Sequence, residues 1–398
     1  MFINFNWPKI RPFIQASGGI TLRIPKNLNR ESILQAIKEV DKDGFPPDRQ
    51  SRKWDVLYEN NKYPPKYLIS LANKFLNGVE LSPKKFSGGP EANEFLKNLR
   101  FTIVSKTEKE KNRRLELWKK IGGDEATDVS PKVLRKFGIY GGFQGIWVDK
   151  VPTQKFSDSG KGITVSFLHT GKHYPDDLSD DGLIYHYPKT NRKGQKDLNE
   201  INASKEAYEC GLPIFIILPG KNSDKTRCVK LGWIIDWSDE EQLFLVSFSD
   251  NDLPNLKPKS KDDPFKLTDS KKGKKQITTS RPNQTRFRFD VLKRSGSKCS
   301  VCDIKIKELL FAAHVRDKKA DGSDDERNGL ILCWNHHTAF DSYLFGIDPK
   351  NLKIIPQNNH VKLSSLGITV NVLTPEKEPP HPKALEWKWK KFKNSGSK

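Results

Sequence analysis

The spacing of apolar and polar positions predicts a helical block at the start of the chain. Residues 29–40 carry apolar side chains at helical spacing behind an asparagine, a residue type that often caps helices. Residues 63–78 begin with prolines and stop at a glycine, which is the usual asymmetry of a helix. Residues 86–99 predict a loop and a third helix, followed by a short strand. We therefore predict a small, mostly helical head domain over residues 1–106.

A block rich in β-structure follows. The apolar runs at 162–168 and 213–218 predict buried strands, and two later runs predict a hairpin around Ser238. These elements define a second domain over residues 131–250. Residues 107–130 are charged and have helical spacing, which predicts a connector between the two domains.

The last part of the chain is predicted to be a linker and a third domain. Residues 251–285 are rich in Lys, Asp, Ser and Pro, a composition typical of a flexible basic linker. Residues 286–398 form the final domain, and its segment 382–392 predicts a basic amphipathic helix that packs on that domain. Residues 2–7 are too short and too polar for a signal peptide.

Composition indicates a polyanionic partner. The 398 residues include 70 Lys and Arg against 49 Asp and Glu, a net charge of +21. Phosphate backbones are the natural partner for such an excess. An acidic membrane surface is the alternative, but no apolar segment is long enough to span a bilayer. Five cysteines are few, so we expect reduced thiols at Cys210 and Cys228 and a cytoplasmic location.

Three other cysteines lie in a metal-binding pattern. Cys299 and Cys302 form a C-x2-C knuckle, and Cys333 and His336 form a C-x2-H knuckle. Three thiolates and one imidazole are a closed tetrahedral set suited to structural Zn²⁺. By itself, this pattern is also compatible with a zinc ribbon that binds DNA without cutting it.

Three residues interleaved with the knuckles are His314, Asn328 and His337, in the order H…N…H. With A-A-H-V at 312–315 and N-G-L-I-L-C at 328–333, the pattern resembles the HNH (ββα-metal) nucleases. It is most similar to the branch found in modification-dependent restriction enzymes of the McrA type. The Y-P-P-K and F-S-G-G-P-E-A-N segments near the start resemble the head domain of some of those enzymes.

Phosphodiester hydrolysis requires an activated water and charge neutralisation at the phosphate. His314, at the end of a short apolar strand, is the expected general base, and Asn328 is expected to fix the loop that carries it. His337 is expected to hold a catalytic divalent cation such as Mg²⁺ or Mn²⁺, with Asp341 on the same helical face as a second ligand. Each residue also has a structural interpretation: a core histidine, a turn asparagine or a surface carboxylate. Many HNH enzymes carry a further metal ligand just before the base, where this chain has Ala313.

The middle block is similar to SRA (SET- and RING-associated) domains, which flip a modified cytosine out of DNA. The similarity rests on three segments, at 173–187, 198–213 and 231–237. It implies that Tyr174 stacks on the flipped base, that Asp177 accepts from its N4 group and that Tyr187 closes the other side. The acidic segment is alternatively a solvated loop or a calcium site. Pro188 stands near where the family often carries threonine, which leaves open which cytosine modification is recognised.

Together these features predict an α+β multidomain protein. It has a mostly helical head, a β-rich SRA-like (PUA-like) barrel and a C-terminal ββα-metal HNH nuclease with zinc knuckles. The expected function is a modification-dependent endonuclease acting on double-stranded DNA with 5-methyl- or 5-hydroxymethylcytosine, and a homodimer would allow both strands to be cut. The alternatives are an HNH endonuclease for an unmodified site and a non-catalytic zinc protein that binds DNA.

Overall fold

The structure is a computed structural model, and it describes most of the chain. The described residues are 24–86, 89–142, 144–170, 177–190, 192–223, 225–248, 264–269, 284–358 and 360–395. The hexapeptide at 2–7, Tyr174 and most of the predicted linker lie outside these residues.

The head combines helices with a small sheet. Its elements are α1 (Arg30–Asp43), β1 (Trp54–Tyr58), β2 (Asn61–Tyr63), α2 (Pro65–Asn77), α3 (Pro90–Asn98) and β3 (Thr102–Ser105). The Asn29 side chain caps α1 by accepting from the Ser32 N–H, and Gly78 ends α2 in the left-handed region at φ 78°. The strands form an antiparallel sheet in the order β2-β1-β3. The prediction of a mostly helical head missed β1 and β2, which are short strands of mixed polarity.

The predicted connector forms helix α4 (Glu108–Lys120) and packs onto the middle block. Arg114 is fully buried and donates to the backbone carbonyls of Thr164 and Pro213 at 2.9 and 2.7 Å, while its Nε donates to Glu110 at 2.8 Å. Leu117 and Trp118 belong to the same hydrophobic cluster as residues of the middle sheet. Arg114 therefore attaches this charged helix to the middle block through buried hydrogen bonds.

The middle block contains a six-stranded sheet. Its elements are α5 (Pro131–Lys136), β4 (Ile146–Asp149), α6 (Lys150–Thr153), β5 (Ile163–Leu168), β6 (Gly182–His186), α7 (Lys196–Glu209), β7 (Ile214–Pro219), β8 (Arg227–Ser238) and β9 (Leu243–Phe248). The strand order is β4-β5-β7-β8-β9-β6, and β5 and β7 pair in parallel while the other pairs are antiparallel. The predicted hairpin is β8 and β9. The expected closed barrel is not found in the described residues, because the edge strands β4 and β6 each pair with one neighbour and not with each other.

The C-terminal block has two small antiparallel hairpins between helices. Its elements are α8 (Gln284–Ser295), β10 (Leu310–His314), β11 (Gly329–Cys333), α9 (Trp334–Asp341), β12 (Phe345–Ile347), β13 (Ile354–Pro356) and α10 (Pro382–Ser395). β10 pairs with β11, so that His314 lies opposite Gly329, and α9 follows β11 directly. Ala384 and Leu385 of α10 belong to the core of this block, which places the amphipathic helix on the domain.

The blocks contact one another through apolar and charged side chains. Three residues of the middle sheet share a hydrophobic cluster with the C-terminal block: Ile184, Leu243 and Leu245. Lys293 of α8 donates to both carboxylate oxygens of Asp236 at 3.0 and 3.1 Å. On the other side, Lys53 of the head forms ion pairs with Glu209 and Asp158 of the middle block. The C-terminal block is thus packed against the sheet that precedes it.

Candidate active site and metal centre

The two knuckles converge on one buried cluster. Cys299, Cys302, Cys333 and His336 are buried, and their ligand atoms all lie within 4.8 Å of one another. The His336 Nδ1 atom faces the sulfurs of Cys333 and Cys299 at 3.1 and 3.5 Å. Its Nε2 atom lies 3.0 Å from the carbonyl oxygen of Leu366, which fixes the ring with Nδ1 toward the thiols. This donor set and orientation fit a closed tetrahedral Zn²⁺ site.

His314 ends β10, which is paired along its length with β11. Its ring stacks on Phe287 of α8, with centroids 3.8 Å apart and planes inclined by 9°. Its Nε2 atom lies 3.0 Å from Asp324 Oδ1. The strand pairing fixes the backbone of His314, while the stack and the contact with Asp324 hold its imidazole ring.

Asp324 was not identified from the sequence. It lies in the acidic loop between β10 and β11 and also accepts from Lys318 at 2.7 Å. Burial by itself would raise the pKa of Asp324, but hydrogen bonds and charges from His314 and Lys318 outweigh burial and lower it. The carboxylate is therefore ionised at neutral pH beside the imidazole. Only the loop's closure onto β10 brings the two together, since ten residues separate them and no motif spacing links them.

Asn328 is fully buried directly before β11. Its Oδ1 atom accepts from the backbone N–H of Arg316 at 2.9 Å, and its Nδ2 atom donates to the carbonyls of Arg316 and Ser323 at 3.2 and 3.0 Å. These bonds join both ends of the loop that follows His314. The amide thereby holds the segment that carries the imidazole and Asp324.

His337 and Asp341 lie one turn apart on α9, with Nε2 and Oδ2 3.4 Å apart. Burial lowers the pKa of His337, which favours the neutral ring that binds metal ions. The charge of His314 is close enough to lower this pKa further. Within the described part of the chain, no second group of three potential ligands comes as close together as the cysteine and histidine cluster. His337 and Asp341 would thus offer two protein ligands and leave the remaining positions of a divalent cation open.

Asp177 and Tyr187, two of the predicted base-reading residues, contact side chains other than those of His314, Asn328 and His337. Tyr174 lies outside the described residues. Asp177 is buried, and its carboxylate contacts the Nε2 of His186 and, at 3.2 Å, the Nε of Arg288 on α8. Tyr187 is buried with its ring 4.5 Å from that of Phe244, and its hydroxyl donates to Asp239 at 3.0 Å.

Two separate parts of the chain match known families. Residues 299–348 match the HNH endonuclease family. This segment is an HNH endonuclease domain. The match spans the cluster of three cysteines and one histidine, together with His314, Asn328, His337 and Asp341, so the chain is a nuclease. Residues 26–105 match the ScoMcrA-like N-terminal head domain.

Two solved structures resemble the chain at low similarity. One is described as the modification-dependent TagI restriction endonuclease, with 18% identity and a TM-score of 0.27, covering 67% of this chain and 92% of that one. The other is the type IV phosphorothioation-dependent restriction endonuclease ScoMcrA, with 12% identity and a TM-score of 0.22, covering 94% and 100%. A search of curated proteins gave no match. None of the described helices is both long enough and apolar enough to cross a membrane.

Proposed function

We propose that the chain is a modification-dependent DNA endonuclease. In this proposal the middle block recognises a modified cytosine in double-stranded DNA and the HNH domain hydrolyses a phosphodiester bond nearby. The observation that carries the proposal is the arrangement of two histidines. His314, held by Asp324, ends β10, and β10 pairs with β11, which leads directly into the helix that carries His337. The net charge of +21 favours DNA as the substrate.

Each side chain of the site has its own role in hydrolysis. His314 accepts the proton of the attacking water at Nδ1, because its Nε2 is held by Asp324. Asp324 also stabilises the imidazolium that forms. Asn328 holds the loop in place through its backbone hydrogen bonds. A divalent cation such as Mg²⁺ or Mn²⁺, held by His337 and Asp341, would neutralise charge on the phosphate and the departing oxygen.

Structural Zn²⁺ at the four-ligand cluster would stabilise the domain. The hairpin of β10 and β11 and the short helix α9 are small elements that pack around the cluster, and metal binding adds to the folding free energy of such modules. The cluster also fixes the start of α9, since Cys333 and His336 flank its first turn. The zinc ligands thus determine where His337 lies.

For the middle block we propose recognition by base flipping, in which Tyr174 stacks on the cytosine and Asp177 accepts from N4. Asp177 pairs with His186 and Arg288 in the structure, so reading the base requires exchange of one of these contacts. Tyr187 would close the pocket only if its ring left its packing against Phe244. Recognition of the base by Asp177 and the packing of α8 therefore depend on each other, because Arg288 lies on α8.

A second candidate is recognition of a sulfur-modified DNA backbone. The head matches the ScoMcrA-like domain, and ScoMcrA itself is described as phosphorothioation-dependent. In that case the middle block or the head would read the phosphorothioate, and the HNH chemistry would be unchanged. The assay that tests the first candidate must therefore include this substrate.

The test is digestion of matched plasmids that carry cytosine, 5-methylcytosine, 5-hydroxymethylcytosine or phosphorothioate linkages, with Mg²⁺ or Mn²⁺. We expect cleavage of a modified-cytosine plasmid and no cleavage by His314→Ala, which should retain DNA affinity. His360→Ala is the matched control, because His360 is exposed and lies outside the site. Linear product without a nicked intermediate would support a homodimer acting on both strands.

Equal cutting of all four plasmids would favour the unmodified-site endonuclease, and cutting of the phosphorothioate plasmid alone would favour the second candidate. Near-native cutting by His314→Ala would remove that residue from the mechanism.

A further inference from the structure

Helix α10 places a buried lysine beside the site. Lys388 is 3% exposed, although lysine is rarely buried unless it is paired. Its ammonium donates to Asp317 Oδ1 at 2.8 Å and lies 3.8 Å from Asp341 Oδ1. It also lies over the rings of Phe340 and Tyr343, 4.7 Å from each centroid. Lys388 is 40 residues beyond the segment that matches the HNH family.

The two carboxylates that Lys388 contacts both belong to the surroundings of His337. Asp341 Oδ2 lies 3.4 Å from its Nε2 atom, and Asp317 follows His314 by three residues. After burial, the charges of Asp341, Lys388, His314 and Asp317 are the next largest influences on the pKa of His337. The ammonium of Lys388 is therefore within electrostatic reach of the imidazole that we propose as a cation ligand.

Anchoring the helix does not require this charge. Ala384, Leu385 and Phe392 are already buried and fix α10 on the domain. Lys388 lies on the same face, one turn after Ala384 and one turn before Phe392, where an apolar residue would pack without loss of hydration. The charge at this position therefore indicates a role toward the two aspartates.

We propose that Lys388 is a positioning residue of the nuclease site, which holds Asp317 and Asp341 beside His337 and offsets their negative charge. This inference rests on the proposed function, in which a divalent cation and the scissile phosphate meet at His337. Two unpaired carboxylates there would bind the cation more tightly and repel the phosphate. Lys388 moderates both effects, and it makes the C-terminal helix part of the active site.

The first test is direct binding of Mn²⁺ to the full-length, zinc-loaded protein, followed by electron paramagnetic resonance of the free ion. Lys388→Met keeps the length of the side chain and removes its charge. A unit charge at several ångströms from a partly exposed divalent ion contributes about 1 kcal/mol, so we expect roughly threefold to tenfold tighter Mn²⁺ binding. Lys391→Met is the control on the exposed face of the same helix and should bind Mn²⁺ like the wild type.

Two further variants separate charge from packing. Lys388→Arg keeps the charge and should keep the wild-type Mn²⁺ affinity. In an Asp341→Asn background, Lys388→Met should have a much smaller effect, since one of the two carboxylates has lost its charge. Zinc content and the thermal midpoint identify variants that fail to fold, and the arginine variant remains informative if the methionine variant unfolds.

The second test is plasmid cleavage over a range of Mn²⁺ concentrations that reaches saturation. Lys388→Met should lower kcat about tenfold or more and shift the half-saturating Mn²⁺ concentration downward. Unchanged Mn²⁺ affinity, or a loss of activity that only follows the unfolded fraction, would overturn the proposal. Because the binding measurement needs no DNA cleavage, failure of the proposed function and failure of this inference can be told apart.

Discussion

Replacement of Asp324 by asparagine tests whether the carboxylate beside His314 takes part in catalysis. The substitution keeps the shape of the side chain and removes its charge. In the wild type, Asp324 Oδ1 lies 3.0 Å from His314 Nε2, and both side chains are 20% exposed. This contact stabilises the imidazolium that forms when His314 takes a proton from water, so its loss should raise the barrier of that step.

The size of the effect follows from the type of contact. A hydrogen bond between charged, largely buried groups contributes about 1.5–3 kcal/mol. Each 1.4 kcal/mol corresponds to roughly a tenfold change in rate. We therefore expect kcat to fall roughly 10- to 100-fold, with KM within about twofold of the wild type because Asp324 does not contact DNA in this mechanism.

The pH dependence of folding stability gives a second signature of the Asp324 carboxylate. The lowered pKa of Asp324 keeps the carboxylate ionised throughout pH 5 to 9, so its own titration does not enter an assay in that range. The stabilisation that Asp324 gives the fold is present above about pH 4. It is lost only as pH falls through the lowered pKa.

The assay is initial-rate cleavage of a modified plasmid at saturating Mn²⁺ between pH 5 and 9. Asp321→Asn is the matched control, because Asp321 is exposed on the same loop and its left-handed conformation at φ 59° suits asparagine. An Asp324→Asn enzyme with wild-type kcat across this pH range would refute the assignment of Asp324 to the catalytic step.

Two further predictions concern the metal centre and the proposed base-reading residue Asp177 of the middle block. Cys333→Ser should abolish zinc binding and unfold the C-terminal block. The variant should lose its zinc, and residues 284–395 should become sensitive to protease while the head stays resistant. A folded, active variant would show that the cluster is not structural. Asp177→Asn should lower affinity for modified DNA roughly tenfold in a binding titration and leave nonspecific binding unchanged, whereas Asp180→Asn, an exposed neighbour, should not. A lower thermal midpoint with unchanged affinity would mean that Asp177 serves only to hold Arg288 and α8.

Short spacings along the chain predict the local chemistry of the C-terminal block. The knuckles Cys299–Cys302 and Cys333–His336 are set by short spacings, and a two-residue gap leaves little freedom in where ligands point. The order of His314, Asn328 and His337 is likewise local to two strands and a helix, and the family match spans it. The apolar runs determined the strands of the middle hairpin in the same way.

Features that depend on long-range packing emerge only in the folded chain. Whether the middle strands close into a barrel depends on pairing between β4 and β6, which no local pattern encodes. Asp324 reaches His314 only because the loop closes on Asn328. Lys388 reaches Asp317 across 71 residues only because α10 packs on the domain, although a lysine on the apolar face of a helix was a visible signal. Charged partners brought together by packing are hard to infer from sequence, since their pairing depends on distances that only the folded chain sets.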